Sequence, residues 1–302
     1  MDDSNVTYLT LSGYVELERY RYIYFVIVLT LYLLIIICNG LVIFVILTNK
    51  SLHEPMYIFI AALLCNAVFG STTLYPRLLT NFLSEKQIVS YEECTFQSYF
   101  IYTYGASEFT LLSAMAYDRY VSICKPLQYA MIIKMSTVRK ILFCCWFGPC
   151  CEMSITLIMT YQIKLCTFKL NRIYCNNNAL VKLSCGDTSV RNAYGTFVLC
   201  IAVFPPLTFV LFSYFKILSV CLKCSKDFRK KAIRTCVPHL LIFSSFTVTS
   251  LFEVLSTKVE TNVPHIISMI LSVENMVIPP LANPIIYGLK LKEIFYQIKK
   301  MF

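Results

Sequence analysis

The sequence predicts an all-α membrane protein, a seven-transmembrane helix bundle followed by a short amphipathic carboxyl-terminal helix. Three observations carry this reading. Hydrophobic residues make up 57% of the chain against 15% charged. Seven apolar runs are each about 20 residues or longer, the length needed to cross the hydrocarbon core. Lysines and arginines gather between alternate runs. So much apolar surface exceeds what a soluble domain of 302 residues hides.

In chain order, residues 1–22 are polar and acidic with no apolar core, so they read as an extracellular amino-terminal segment rather than a cleavable signal peptide. The first run, Ile23 to Leu47, is free of charge and is expected to act as its own signal anchor. Next come Met56 to Pro76, Phe96 to Cys124, Ile141 to Ile163, Ala193 to Phe215, Thr235 to Ser256 and Val263 to Leu289, which complete a transmembrane domain over residues 23–289. The third, fourth and seventh runs contain the isolated acids Glu108, Glu152 and Glu274. These lengths, with Pro and Gly tolerated inside, indicate helices, because barrel strands would be alternating segments of about ten residues. Residues 290–302 mix Ile294, Phe295 and Ile298 with Lys292, Lys299 and Lys300, a pattern suited to a helix lying on the inner membrane face.

Basic residues set the orientation. One side of the bundle holds 17 of the 27 lysines and arginines, from Lys50 through Arg119 and Lys226–Arg234 to Lys300, and that side is expected to be cytoplasmic. Most acids, among them Asp2, Asp3, Glu16, Glu18, Glu85, Glu92, Glu93 and Asp187, fall on the opposite side. The amino terminus is therefore expected outside and the carboxyl terminus inside, in a multi-pass plasma-membrane protein. The net charge of +10 calls for no nucleic-acid partner, because a basic inner rim facing anionic lipid and a cytosolic protein accounts for it.

Sequons and cysteines bear on the same topology. Asn5-Val6-Thr7 is a glycosylation acceptor in the external segment, whereas Asn49-Lys50-Ser51 falls in the first inner loop. Eleven of the 15 cysteines lie in spans or on the inner side, and the remaining four, Cys94, Cys166, Cys175 and Cys185, are all on the oxidising face. Four cysteines allow three pairings, and the residues alone leave the choice open. A bridge from Cys94 into the second external loop, Gln162 to Arg191, would pin that loop over the mouth of the bundle.

The Asp118-Arg119 dipeptide closes the third apolar run. Ionised groups at such a place are costly and belong more often to a switch than to packing. Glu108 precedes Arg119 by 11 residues, so the two project to nearly the same face about 16 Å apart along the axis.

Specific stretches recur along nearly the whole chain: Asn39-Gly40, Leu52-His53-Glu54-Pro55-Met56-Tyr57, Met115 to Cys124 with Lys125-Pro126-Leu127-Gln128-Tyr129, Leu183 to Thr188, Ser213-Tyr214, Lys231 to Cys236 with His239, and Pro279 to Tyr287. In these residues, in this order, the chain resembles the odorant receptors, the chemosensory branch of the rhodopsin-like G protein-coupled receptors. The stretch Glu54 to Ala61 resembles the aquatic-vertebrate branch in particular, which implies water-soluble ligands. In that family the loop cysteines pair as Cys94 with Cys175 and Cys166 with Cys185.

The resemblance further implies a small odorant as ligand and a heterotrimeric, stimulatory G protein as partner, with cyclic AMP as output. Switch and coupling roles then fall to Asp118, Arg119, Tyr120, Tyr214, Asn283, Pro284, Tyr287 and Glu108. Asp118 is expected to hold Arg119 at rest, with Tyr214 and Tyr287 as partners in a second state, and Asn39 and Asn283 to bond across helices. Many relatives place an acid where this chain has Ala67, with Asn66 one position earlier, so Glu108 is left without a carboxylate partner.

The family's ligand cavity maps onto Tyr102, Gly105, Ala106, Phe109, Val198, Leu199, Ala202, Ser250, Val254, Val273 and Met276. The first four share one helical face by their spacing. No basic residue falls deep among these positions, which argues against a buried carboxylate site. Arg191 and Lys258 are expected at the rim, along with Glu253 and His265.

Other classes are disfavoured. The seventh run has no central lysine for a retinal Schiff base, and Ile101 stands where amine receptors carry an aspartate. No HExxH, P-loop or glycine-rich phosphate motif occurs, and the histidines at 53, 239 and 265 are scattered, so neither an enzyme, a cofactor nor a metal site is expected. Internal repeats of the kind transporters show are not evident. The segment from Lys290 to Phe302 lacks Ser, Thr and Cys, which shifts any kinase control to Ser136, Thr137 or Ser225.

Overall fold

The computed structural model describes residues 7–258 and 274–301. Its long helices are α1 (Arg21–Thr48), α2 (Pro55–Leu83), α3 (Tyr91–Cys124), α4 (Met135–Tyr161), α5 (Ser189–Cys221), α6 (Lys226–Lys258), α7 (Ile278–Lys290) and α8 (Lys292–Met301). The first seven form the transmembrane bundle, and α3 is its central member, packing against α2, α4, α5 and α6.

The radial distribution of side chains is that of a protein dissolved in lipid. Asn39, Glu108 and Asn283 are fully buried and Asp118 is 1% exposed, whereas Ile37 is 62% and Phe44 53% exposed on the outer surface. A soluble protein would place these the other way round. In hydrocarbon only the polar groups need each other.

Most helices extend beyond the apolar runs that announce them. Helix α3 starts at Tyr91 rather than Phe96, because Ser90 and Glu93 form a capping box: Glu93 N–H donates to Ser90 Oγ at 3.1 Å, and Ser90 N–H to the Glu93 carboxylate at 3.4 Å. Helix α2 begins on Pro55, whose missing N–H costs nothing in a first turn. Helix α6 runs two turns below Thr235, through Lys226–Arg234, where polar residues prolong the helix into water.

The face that carries the amino-terminal segment is more ordered than a polar tail and loops suggest. Three short strands, β1 (Tyr8–Leu11), β2 (Ile88–Ser90) and β3 (Lys169–Leu170), form a sheet in the order β2-β1-β3. Strand β1 pairs antiparallel with β2 and parallel with β3, so the amino-terminal segment stitches the loop between α2 and α3 to the loop between α4 and α5. Leu9, Leu11, Tyr14 and Leu17 are buried beneath it. Tyr14 donates to the Ile173 carbonyl at 2.8 Å and accepts from Asn81 Nδ2 at 3.2 Å; burial pushes its phenol pKa up. Gly13 sits so close to the Arg172 and Ile173 backbone that a Cβ would stand 2.6 Å from the Arg172 carbonyl carbon.

Candidate functional site

The loop between α4 and α5, expected to be external, spans residues 162–188, shorter than the Gln162 to Arg191 expected, because α5 starts at Ser189. Asp187 anchors that start by accepting from the Ser189 N–H at 2.8 Å and hydroxyl at 2.5 Å, which lowers its carboxyl pKa. Two disulfides shape the loop. Cys94–Cys175 fastens its middle to the head of α3, and Cys166–Cys185 closes a smaller ring within it. Between them lies a helical turn, Asn177–Val181, capped by Asn176, whose side chain accepts from Ala179 N–H at 2.8 Å.

Beneath this turn the bundle encloses a cavity of about 540 Å³, within the range of small-molecule sites, about 300–1,000 Å³. Of the eleven positions named from the sequence, Tyr102, Gly105, Ala106, Phe109, Val198, Leu199, Ala202, Ser250 and Met276 line it. The side chain of Val254 and the whole of Val273 lie outside the described residues, as do Asn5, His265 and the side chains of Glu253 and Lys258.

The remaining lining was not anticipated. Asn177, Asn178, Val181 and Lys182 come down from the loop, Met153 and Thr156 from α4, and Arg191, Asn192, Gly195 and Thr196 from the first two turns of α5. Arg191 stands at the mouth, as expected, but buried rather than solvated: it is only 8% exposed and lines the cavity. Its spacing to Gly195, Val198 and Ala202 puts it on the cavity stripe of α5, a signal available in the sequence once α5 is started at Ser189 rather than Ala193.

Below the cavity a hydrogen-bonded column runs inward. Tyr104, which lines the cavity, donates to the Asn275 carbonyl at 3.2 Å. Asn66 Nδ2 donates to the Tyr104 carbonyl at 3.1 Å and to Glu108 at 2.8 Å, and Asn283 Nδ2 donates to the other Glu108 oxygen at 3.1 Å. Glu108 thus has two amide partners in place of a carboxylate, drawn from α2 and α7. Asn39 bonds across helices too, from Nδ2 to the Pro280 carbonyl at 2.8 Å.

Further in, His239 of α6 lies between Tyr214 of α5 and the Leu112 carbonyl of α3, at 2.8 Å from Nδ1 and 2.9 Å from Nε2. A carbonyl can only accept, so Nε2 carries the proton; in the neutral ring Nδ1 then accepts from the Tyr214 hydroxyl. One imidazole in this way links three helices.

At the inner end Arg119 donates from Nε to Asp118 Oδ2 at 3.0 Å, and its Nη2 contacts the same oxygen. The other oxygen accepts from the Tyr129 hydroxyl at 2.7 Å, a partner contributed by the turn Tyr129–Ile132 after α3. Asp118, Arg119, His239 and Tyr287 line a void of about 20 Å³. The Tyr287 hydroxyl is fully buried there with no hydrogen-bond partner among the described residues. Tyr120 is half-buried, with Lys125 Nζ 6.0 Å from its ring centroid, and Pro284 is buried inside α7.

Comparison with known proteins matches residues 28–302 to the family described as "Olfactory receptor". The chain is 32% identical to the dog "Olfactory receptor-like protein OLF4" over 97% of this chain and 95% of that one. It is 34% identical to human "Olfactory receptor 52K1" over 90% and 87%, and 31% identical to human "Olfactory receptor 51E1" over 100% and 95%.

Proposed function

The chain belongs to the olfactory receptor family, and on that premise we propose that it binds a small odorant in the cavity under the second external loop and thereby activates a cytosolic stimulatory G protein that raises cyclic AMP. The amino terminus then faces outside and the basic inner loops face the cytosol.

The observation that carries this reading is the succession of three polar clusters along α3, at Glu108, at the Leu112 carbonyl with His239, and at Asp118–Arg119, below the cavity. Helices α3 and α6 and the segment leading into α7 line the cavity through Tyr104, Phe246 and Asn275, and α3, α6 and α7 carry Glu108, His239 and Asn283 toward Asp118–Arg119. A ligand shifts such an equilibrium only by binding one arrangement better than the other. In the resting arrangement Asp118 and Tyr129 retain Arg119, and Tyr214 is occupied by His239. Outward movement of the inner end of α6 breaks the His239 contacts and frees Tyr214 and Arg119. The Tyr287 hydroxyl, buried at a cost of about 1–3 kcal/mol while unpartnered, gains a partner in that second arrangement.

The test is expression with an olfactory-type stimulatory G protein and an odorant panel, reading cyclic AMP. A ligand-dependent rise that vanishes without the G protein supports the reading. A ligand-gated current that persists without any G protein would falsify it.

A further inference from the structure

We infer that the cavity ligand is a monocarboxylate with an apolar body, its carboxylate held by Arg191 at the outer end and its body directed inward along α5. This rests on the reading of the cavity as the odorant site and specifies the ligand's chemistry.

Arg191 is 92% buried yet has a poor partner. Among the described residues its hydrogen bonds go to one neutral hydroxyl, Thr160 Oγ1, from Nε at 3.3 Å and Nη2 at 3.0 Å. No carboxylate of the described residues lies within 4.0 Å of it. A buried guanidinium without an anion is expensive to maintain, and its planar fork suits a carboxylate bidentately. Lys182 adds a second cation to the same lining, and no described lining residue is acidic. Among the described lining residues a zwitterionic amino acid or an amine finds no counter-charge.

Shape supplies the rest. Arg191 and Ala202 are 11 residues apart on one stripe of α5, about 16 Å along the axis. Between and beyond them the wall is mainly apolar, with Val198, Leu199, Val203, Phe109 and Phe246, interrupted by Thr196, Ser250 and Asn275. An anionic head at the mouth and an apolar tail below it complement this gradient.

The test compares hexanoic, octanoic and decanoic acids with the matching alcohols and amines, by cyclic AMP in cells and by thermal stabilisation of the purified receptor in detergent. The acids are expected to be the more potent set, and octanoate to raise the melting temperature where octanol does so less. In Arg191→Gln the potency of the acid relative to the alcohol should fall about ten- to a hundredfold, a ratio that a general folding defect would not move. Arg191→Lys should recover part of it, and surface staining controls for delivery. Equal potency of acids and alcohols, or an unchanged ratio in Arg191→Gln, overturns the inference and leaves the odorant-receptor reading intact. Stabilisation by octanoate without any cyclic AMP response supports the inference and instead counts against the coupling reading.

Discussion

Tyr129→Phe and Asp118→Asn test the inner latch, and the geometry sets their order. Tyr129 is half-buried and donates one bond of 2.7 Å to the carboxylate. Hydrogen bonds to charged groups contribute about 1.5–3 kcal/mol, and partial exposure of the donor places this one near about 1.5. Asp118 is 1% exposed and also accepts from two guanidinium nitrogens of Arg119, so removing its charge should cost the resting arrangement about 3 kcal/mol. Each 1.4 kcal/mol is about tenfold in an equilibrium. From an active fraction of about 1%, Tyr129→Phe should raise the unliganded active population to about 10%, and Asp118→Asn to about half. Because both act on one carboxylate, adding Tyr129→Phe to Asp118→Asn should change little. The assay is basal cyclic AMP divided by surface receptor, with the stimulatory G protein present. Wild-type basal activity in both variants at wild-type surface density would refute the reasoning, as would a larger effect of Tyr129→Phe than of Asp118→Asn.

Removing the outer disulfide by Cys94→Ser opens a closure of 81 residues, worth about 4.5 kcal/mol in chain entropy, against about 3 for the 19-residue closure opened by Cys166→Ser. Surface staining should be lost in the first and reduced in the second; normal staining of Cys94→Ser would exclude that bridge as the anchor of the loop. Gly70→Ala places a Cβ 2.5 Å from the Tyr104 ring, which Phe246 and the bond to the Asn275 carbonyl hold in place. Overpacking there should cost about 1–3 kcal/mol, read as a lower melting temperature in detergent, while an unchanged value would mean that α2 and α3 separate freely. Joint replacement of Ser136, Thr137 and Ser225 by Ala should abolish kinase-driven desensitisation during prolonged stimulation, and persistence of the decay would place the control elsewhere.

The bundle was legible because hydrocarbon leaves a chain few choices: each apolar run had to become a helix, and its length followed from the bilayer. Cavity positions such as Tyr102, Gly105, Ala106 and Phe109 were legible through helical spacing together with resemblance. What escaped was set outside the membrane, where hydropathy is silent. Strand β1 has only Tyr8 to Leu11 to show alternation, and its partners lie 80 and about 160 residues away, so no local signal announces the sheet. Arg191 escaped for a related reason. A charge in the first turn of a helix looks like a boundary marker, and its burial depends on a loop folded over it by a disulfide to a distant cysteine. Tyr129 could be read as part of a motif, but that its hydroxyl reaches Asp118 depends on a turn whose geometry spacing alone does not define.

The separation of these parts has a consequence for how affinity and efficacy divide within the cavity. Arg191 is tied to α4 through Thr160, and the loop above it is fastened to α3 by a disulfide, so this outer corner is fixed to α4 and α3 rather than to α6, the helix that bears His239. A carboxylate held there binds both arrangements about equally, and equal binding shifts no equilibrium however tight it is. Phe246, Ser250, Asn275 and Met276 lie on α6 and the segment leading into α7, and Thr249 bonds Asn275 across that seam. Contacts to these residues change when α6 moves. Arg191 substitutions should therefore move the concentration of half-maximal response while leaving its ceiling. Ser250→Ala and Met276→Ala should instead alter the ceiling, and the opposite partition in full dose–response curves would show that the outer corner itself moves on activation.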